Sequence, residues 1–348
     1  MVTQQTSSAP QQATEVPPQQ VLWRMLTGCF LSQAFYVAAK LEIADLLKDG
    51  PKSADELAAL TDSHAGSLYR VLRALASAGI FVEDEQGRFG LTPLANLLRK
   101  DIPGSMHAAG LLIGSILQWP ALGQLLYSVQ SGESAFDYLF GMDMWEYNKH
   151  HPETHELFQY SMTSFSAGEQ KAILEAYDFS PYETIVDIAG GQGRLLASIL
   201  NAYPEKKGLL FELPNTAKEA EKIFQEAGVA DRAQAVSGDM FAAIPSGGDI
   251  YMMKTVLHDW DDEQAVALLR SCKAALPEQG KLLLISRVIA PANLPDGSKF
   301  MDLNMMVTLG GRERTAAEIE KLLNEAGLTL SRVIQTRSPL SIVESIKE

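Results

Sequence analysis

The sequence predicts an α/β fold: a doubly wound sheet over residues 181–348, preceded by an α-helical winged-helix domain over residues 21–103 and a helical linker over residues 104–180. Three observations carry this reading. From Tyr182, short apolar runs alternate with amphipathic ones: TIVDIA, GRLLASILNAY, KGLLFEL, AKEAEKIFQEAG, AQAVSGD, DIYMMKTVL, EQAVALLRSCKAAL, KLLLISRVI, AAEIEKLLNEAG, then two closing strands. That alternation means a parallel sheet with helices on both faces. Upstream, helix-period patterns end in a short hairpin, and between these regions lies a stretch of helical texture rich in Met and aromatics.

Residues 1–20 hold Gln, Pro, Ser and Thr but no Lys or Arg and no apolar stretch, so they form a disordered tail rather than a targeting segment. From Val21 the periodicity is helical, in two or three helices broken near Gly28. In residues 53–98, Ser53 caps one helix, with Glu56 at the capping-box spacing; Ser63 or Ser67 caps a second, which Gly79 ends. FVEDEQGRFGLT follows as a hairpin around Gly87, which completes a winged-helix outline. Such an outline serves DNA binding or, reused, dimerisation. Residues 41–100 carry seven Lys and Arg against nine Asp and Glu, and the whole chain carries a net charge of -14. An acidic surface has no grip on phosphates, so nucleic acid is excluded as a partner and dimerisation is preferred.

A chain of 348 residues, 46% hydrophobic and 21% charged, buries its own core without staples. Its two cysteines, Cys29 and Cys272, lie far apart on helical segments, as in a reducing, cytoplasmic protein. The longest apolar run, AAGLLIGSIL at 108–117, is too short to span a bilayer and reads as a buried helix. MDMWEYNKHHPETHELFQYSMTSFS is the densest aromatic part of the linker, and such stripes are core more often than ligand pocket.

The chemistry concentrates at strand ends, where ligands of doubly wound sheets bind. The first strand ends in VDIAGGQG, in which glycines 190, 191 and 193 allow a sharp turn and close approach to a ligand. A dinucleotide fingerprint needs a third glycine where Leu196 stands, which weakens an NAD or FAD assignment. The second strand ends in FELP, placing Glu212 where an acid takes both hydroxyls of a ribose. The third ends in GDMF, where Asp239 accepts from an adenine amino group and Met240 packs on the ring. Three strand ends thus each offer one part of a nucleoside site. The fourth runs into KTVLHDWDDEQ, with His258 past a strand whose start contributes Lys254. The acids after His258 have an ordinary meaning, since carboxylates gather at helix N-termini.

On VDIAGGQG, FELP, GDMF, the run from Lys254 to Trp260 and GGRERT at 310–315, the chain resembles the S-adenosylmethionine-dependent small-molecule O-methyltransferases related to caffeate and hydroxyindole methyltransferases and their bacterial counterparts. The resemblance spans nearly all of the chain after the tail. It implies a class I methyltransferase, Rossmann-like sheet and a homodimer formed through the winged-helix domain. It also implies S-adenosyl-L-methionine as cofactor, S-adenosyl-L-homocysteine as product and no metal. By the same resemblance Ser166 and Asp187 hold the methionine part, Gly190 and Gly193 line the loop, and Glu212 and Leu213 hold and flank the nucleoside. Asp239 and Met240 contact adenine, and Lys254 and Trp260 close around the nucleoside. His258 matches the general base, beside Asp259, and Glu313 matches an acid that positions it. Phe158, Met162, Phe165, Met301, Asn304 and Met305 match positions lining an apolar slot for a small hydroxylated aromatic.

One departure stands out. The family often carries a second catalytic-site glutamate on the fifth strand, where this chain has Ser286, so Glu313 is expected to orient His258 alone. Ala189 also stands where glycine is common. The leading expectation is O-methylation of a phenolic secondary metabolite. A same-fold enzyme with a non-methylating reaction is the alternative, supported mainly by Ser286, and a winged-helix small-molecule sensor stands third.

Overall fold

A computed structural model describes residues 16–347. Of the expected tail, residues 1–15 lie outside the described residues, and a helix already runs over Pro18–Leu26, started by a proline whose fixed φ suits a first helical position. The chain divides into two compact units between Asp101 and Ile102, so the expected linker and sheet regions form one body.

In the first unit, helices Pro18–Leu26 and Gly28–Lys40 flank the expected break at Thr27. Strand β1 (Lys52–Ser53) pairs with β3 (Arg88–Leu91), which pairs with β2 (Phe81–Glu83) across the turn at Gly87, the winged-helix outline. Ser53 caps helix Ala54–Thr61 in a full capping box with Glu56. The next helix, Ala65–Ser77, is capped by neither Ser63 nor Ser67 but by His64, whose Nδ1 accepts from the Ser67 N–H at 3.2 Å. An imidazole nitrogen at that position reaches the same backbone donor that a hydroxyl would. Leu57, Leu72, Leu75, Phe81 and Phe89 close the core of this unit.

In the second unit, residues 108–117 do not form one buried helix. The helix His107–Ile113 stops at Gly114, the glycine after Leu111, Leu112 and Ile113, and Ile113 and Ile116 are exposed. The longest helix, Pro152–Ala176, follows. The sheet then comprises β4 (Thr184–Ile188), β5 (Lys207–Glu212), β6 (Ala233–Ser237), β7 (Ile250–Lys254), β8 (Lys281–Ser286), β9 (Leu328–Gln335) and β10 (Ser341–Lys347), in the order β6-β5-β4-β7-β8-β10-β9. The expected parallel pairing holds from β6 to β8. It fails at β10, which inserts antiparallel between β8 and β9, as a short hairpin return requires.

Helices cover both faces. Val186, Ile188 and Met253 pack toward Asp262–Ala275 and Ala316–Glu325, whereas Ile185, Met252 and Ile285 pack toward Arg194–Ala202 and Pro214–Glu226. Strand order reverses between β4 and β7, so their carboxyl ends open a crevice, the switch point where such sheets bind ligands. The backbone is strained on both sides of it: Ala189 and Thr255, each just past its strand, hold φ of +52° and +53°. For a β-branched threonine this is a genuine outlier, of the kind that clusters at functional sites.

Candidate active site

Strand β4 is buried on both faces and should be wholly apolar, yet it contains Asp187 at 0% exposure. Neither carboxylate oxygen of Asp187 has a hydrogen-bond partner. Burial, reinforced by the Glu212 charge and opposed by Lys254, pushes its pKa up to about 8. The loop past the strand wraps it closely: a Cβ on Gly190 would strike the Asp187 carboxylate, so only glycine fits there. Gly193, with φ of +72°, starts helix Arg194–Ala202.

At the end of β5, Glu212 accepts from the Gly191 N–H at 3.1 Å and from the Leu213 N–H at 2.8 Å, which ties the first loop to the second strand. Burial raises its pKa, and those two N–H groups oppose the rise. Leu213 is exposed beside it. Past β6, Asp239 accepts from the Phe241 N–H at 2.9 Å, and Met240, Phe241, Ala189 and Trp260 each pack against the same core cluster. Trp260 meets Phe241 edge to face at 4.8 Å, and its buried Nε1 donor is unpartnered. Lys254 ends β7 rather than starting it. Its Nζ reaches Ser166 Oγ at 3.0 Å and Glu169 Oε2 at 2.7 Å, both on helix Pro152–Ala176. Glu169 was not foreseen, although it stands one helical turn past Ser166. A buried acid without partners, Asp187, an unpaired indole N–H and a glycine cradle suit a nucleoside carrying positive charge.

The acidic run after His258 separates by role. Asp261 caps helix Asp262–Ala275 through the Gln264 N–H at 2.8 Å, and Asp262 pairs with the buried Arg314 guanidinium at 2.8 Å. Asp259 instead turns back, placing Oδ1 3.3 Å from His258 Nε2. On the other ring nitrogen, Glu313 Oε1 is 2.9 Å from Nδ1. Glu313 therefore does not act alone: Asp259 supplies the second carboxylate that Ser286, buried at the end of β8, cannot. Burial lowers the His258 pKa, but Asp259 and Glu313 outweigh it, with Arg287 opposing them, and leave it above the usual imidazole value. Asp259 is pushed up to about 6 by burial, against the pull of His258.

Of the expected acceptor-lining residues, Phe158 and Met162 pack in one cluster with Met144 and Val307. Met301, Asn304 and the buried Met305 share a face of helix Ser298–Thr308, where Asn304 Nδ2 lies 3.9 Å from Met301 Sδ. Phe165 is more open, at 36% exposure. Among the described residues, no group of three or more His, Cys, Asp or Glu side chains is arranged to hold a metal ion.

A switch-point site with a buried, unpartnered acid and a histidine flanked by two carboxylates fits a Rossmann-like enzyme with a nucleoside ligand. Comparison with known proteins makes the class specific. An O-methyltransferase domain model matches residues 120–329, and an O-methyltransferase dimerisation domain model matches residues 23–101. The phenazine O-methyltransferase PhzM of Lysobacter antibioticus is 44% identical, covering 96% of this chain and 97% of the relative. The phenazine-1-carboxylate N-methyltransferase of Pseudomonas aeruginosa is 31% identical, covering 90% and 92%. The crystal structure of NcsB1 from neocarzinostatin biosynthesis, in complex with S-adenosylmethionine and 2-hydroxy-5-methyl naphthoic acid, superposes with a TM-score of 0.81 at 32% identity, covering 97% of this chain and 100% of that one. The chain belongs to the O-methyltransferase family and is a methyltransferase with an N-terminal dimerisation domain.

Proposed function

We propose that this enzyme transfers the methyl group of S-adenosylmethionine to a hydroxyl of a small, flat aromatic secondary metabolite, with His258 as proton acceptor. The observation that carries the reading is the imidazole hydrogen-bonded to Glu313 at Nδ1, with the Asp259 carboxylate 3.3 Å from Nε2, past the end of β7.

The residues around the switch point fit the donor. Asp187, whose two oxygens lack partners, suits a positively charged amino-acid tail, together with Ser166 beside Lys254. Gly190 and Gly193 bring backbone close, Glu212 with its neighbour Leu213 suits a ribose, and Asp239, Met240 and Trp260 enclose a base. When bound, the donor supplies an electrophilic methyl. The protein's own work is to align the acceptor oxygen and take one proton.

A phenol with an ordinary pKa near 10 is a poor nucleophile at neutral pH, and a base raised above the imidazole value is better matched to it. Glu313 fixes the ring through Nδ1, so the hydroxyl proton goes to Nε2, where Asp259 stabilises the imidazolium. Phe158, Met162, Phe165, Met301, Asn304 and Met305 form the acceptor slot, and their flexible sulfurs suit more than one ring system. Asp259 supplies the charge whose loss at Ser286 was the main support of the non-methylating alternative, and so weakens it. A winged-helix sensor has no use for a histidine so placed.

Trp23, Met25, Leu26 and Phe30 expose an apolar face in the region matched by the dimerisation model, which supports a homodimer. No helix among the described residues is long and apolar enough to cross a membrane, and we place the enzyme in the cytoplasm. The test is incubation of the purified protein and S-adenosylmethionine with extracts of the source organism. Mass spectrometry should show a product heavier by one methylene, formed only with the protein present. A product labile to mild acid or lacking an aryl ether would remove the phenolic assignment.

A further inference from the structure

The acid that orients His258 is itself held by a residue to which the reading above gives no role. Asp302 Oδ1 accepts from the Glu313 N–H at 2.9 Å. Asp302 stands on helix Ser298–Thr308, the helix that carries Met301, Asn304 and Met305. Glu313 is 2% exposed, and its free oxygen, Oε2, has no partner, so its side chain is aligned by the backbone that bears it and by the imidazole.

That backbone is tied on both sides. The Arg312 N–H donates to the His258 carbonyl at 2.8 Å, and the Arg314 carbonyl accepts from the Ile289 N–H at 3.0 Å. Gly311 lies so close to the His258 carbonyl that any Cβ would collide with it. The Arg314 guanidinium donates to the Leu257 and Trp260 carbonyls at 3.0 and 2.9 Å, on either side of the histidine. The neighbours of Glu313 are thus fastened to the turn that bears the base and to the end of the sheet. At Glu313 itself the backbone fastening is to Asp302.

We propose that Asp302 is a positioning residue for the base: it sets the place of Glu313, and through Glu313 the orientation and basicity of His258, from the helix that lines the acceptor slot. The proposal rests on the assignment of His258 and Glu313 above. A carboxylate that accepts a backbone N–H gives a charge-assisted, directional bond, and ring orientation in a histidine follows from the partner of its other nitrogen. The charged groups facing His258 are Asp259, Glu313 and Arg287, and those facing Asp302 are Arg312, Glu313 and Glu318.

The experiment is an NMR titration of the full-length protein labelled at histidine Cε1, with the His258 signal assigned by its loss in His258→Gln. In Asp302→Ala the His258 pKa should fall by half a unit or more toward that of an ordinary imidazole. Asp302→Glu, which keeps the charge but moves the acceptor by one methylene, should fall likewise and serves if the alanine protein does not fold. Asp302→Asn, which keeps an acceptor oxygen in place, should titrate as the wild type. A purely structural tether would lower the melting temperature and leave the titration unmoved. A wild-type pKa in the alanine or glutamate variant overturns the proposal, as does a fall in the asparagine variant equal to theirs. Methyl transfer at the wild-type rate by His258→Ala would instead overturn the base assignment and leave the titration result standing.

Discussion

His258 Nδ1 and Glu313 Oε1 lie 2.9 Å apart although 55 residues separate them in the chain. Asp259 lies 3.3 Å from the other ring nitrogen, so Glu313 fixes the ring by a hydrogen bond and Asp259 acts on it through its charge. Glu313→Gln keeps the size of the side chain and removes its charge, and with Asp259 still in place it should lower kcat by about 10-fold to 100-fold. Combining it with Asp259→Asn should cost more than the two single changes added in free energy, because each acid compensates for the other. Steady-state kinetics on the four proteins of that cycle measure the coupling.

The pH dependence follows with a definite sign. His258 is raised above the usual imidazole value, and only its neutral form accepts a proton, so kcat/KM should fall as pH drops through that raised value. Asp259 is the largest of the influences that raise it. Asp259→Asn should therefore move the acid limb to lower pH while Lys254, Glu212 and cofactor affinity are untouched. A pH profile of kcat/KM for both proteins checks this, and a limb that stays put would remove Asp259 from the base's surroundings.

Much of this site was legible in the sequence because it is built at strand ends, and strand ends are where a change of hydrophobic period meets a glycine or an acid. VDIAGGQG, Glu212 and Asp239 fell at three such points, and the structure brings them to one edge of the sheet. Less legible was anything decided by side-chain direction. Asp259 and Asp261 both look like helix-start acids, yet one turns to the imidazole and the other caps the helix. Glu169 carries no signal beyond helical spacing from Ser166, and its pairing with Lys254 depends on where the long helix crosses the sheet. The antiparallel insertion of β10 was hidden for a related reason: two closing strands read alike in either direction.

Asp187 predicts a stability trend. Its folded pKa of about 8 lies above the ordinary aspartate value of 3.8, so the folded protein binds the extra proton between those values. The stability associated with that proton is complete below the unfolded pKa and is lost as pH rises through the folded one. In the absence of ligand, Asp187→Asn should flatten the decline in stability toward pH 8 and weaken binding of S-adenosylhomocysteine. Urea denaturation at several pH values, with calorimetry of the ligand, separates the two effects. A variant as steeply pH-dependent as the wild type would show that Asp187 is not the group responsible.

Gly193 has φ of +72°, and a Cβ there would lie 2.6 Å from Phe224 Cε1. Gly193→Ala should destabilise the protein by about 1–3 kcal/mol through backbone strain and overpacking together. The midpoint of urea denaturation should fall with its slope unchanged.

Removal of the acceptor hydroxyl's proton by His258 during methyl transfer is the step on which the proposed mechanism turns. Its most direct measurement is single-turnover transfer of labelled methyl from S-adenosylmethionine to the acceptor found by mass spectrometry, comparing wild type with His258→Ala. The transfer rate should fall about 100-fold to 10,000-fold, with S-adenosylhomocysteine affinity unchanged, because His258 is not among the residues assigned to the nucleoside. Transfer at the wild-type rate would contradict the account and leave proximity alone, or another group, to carry the reaction.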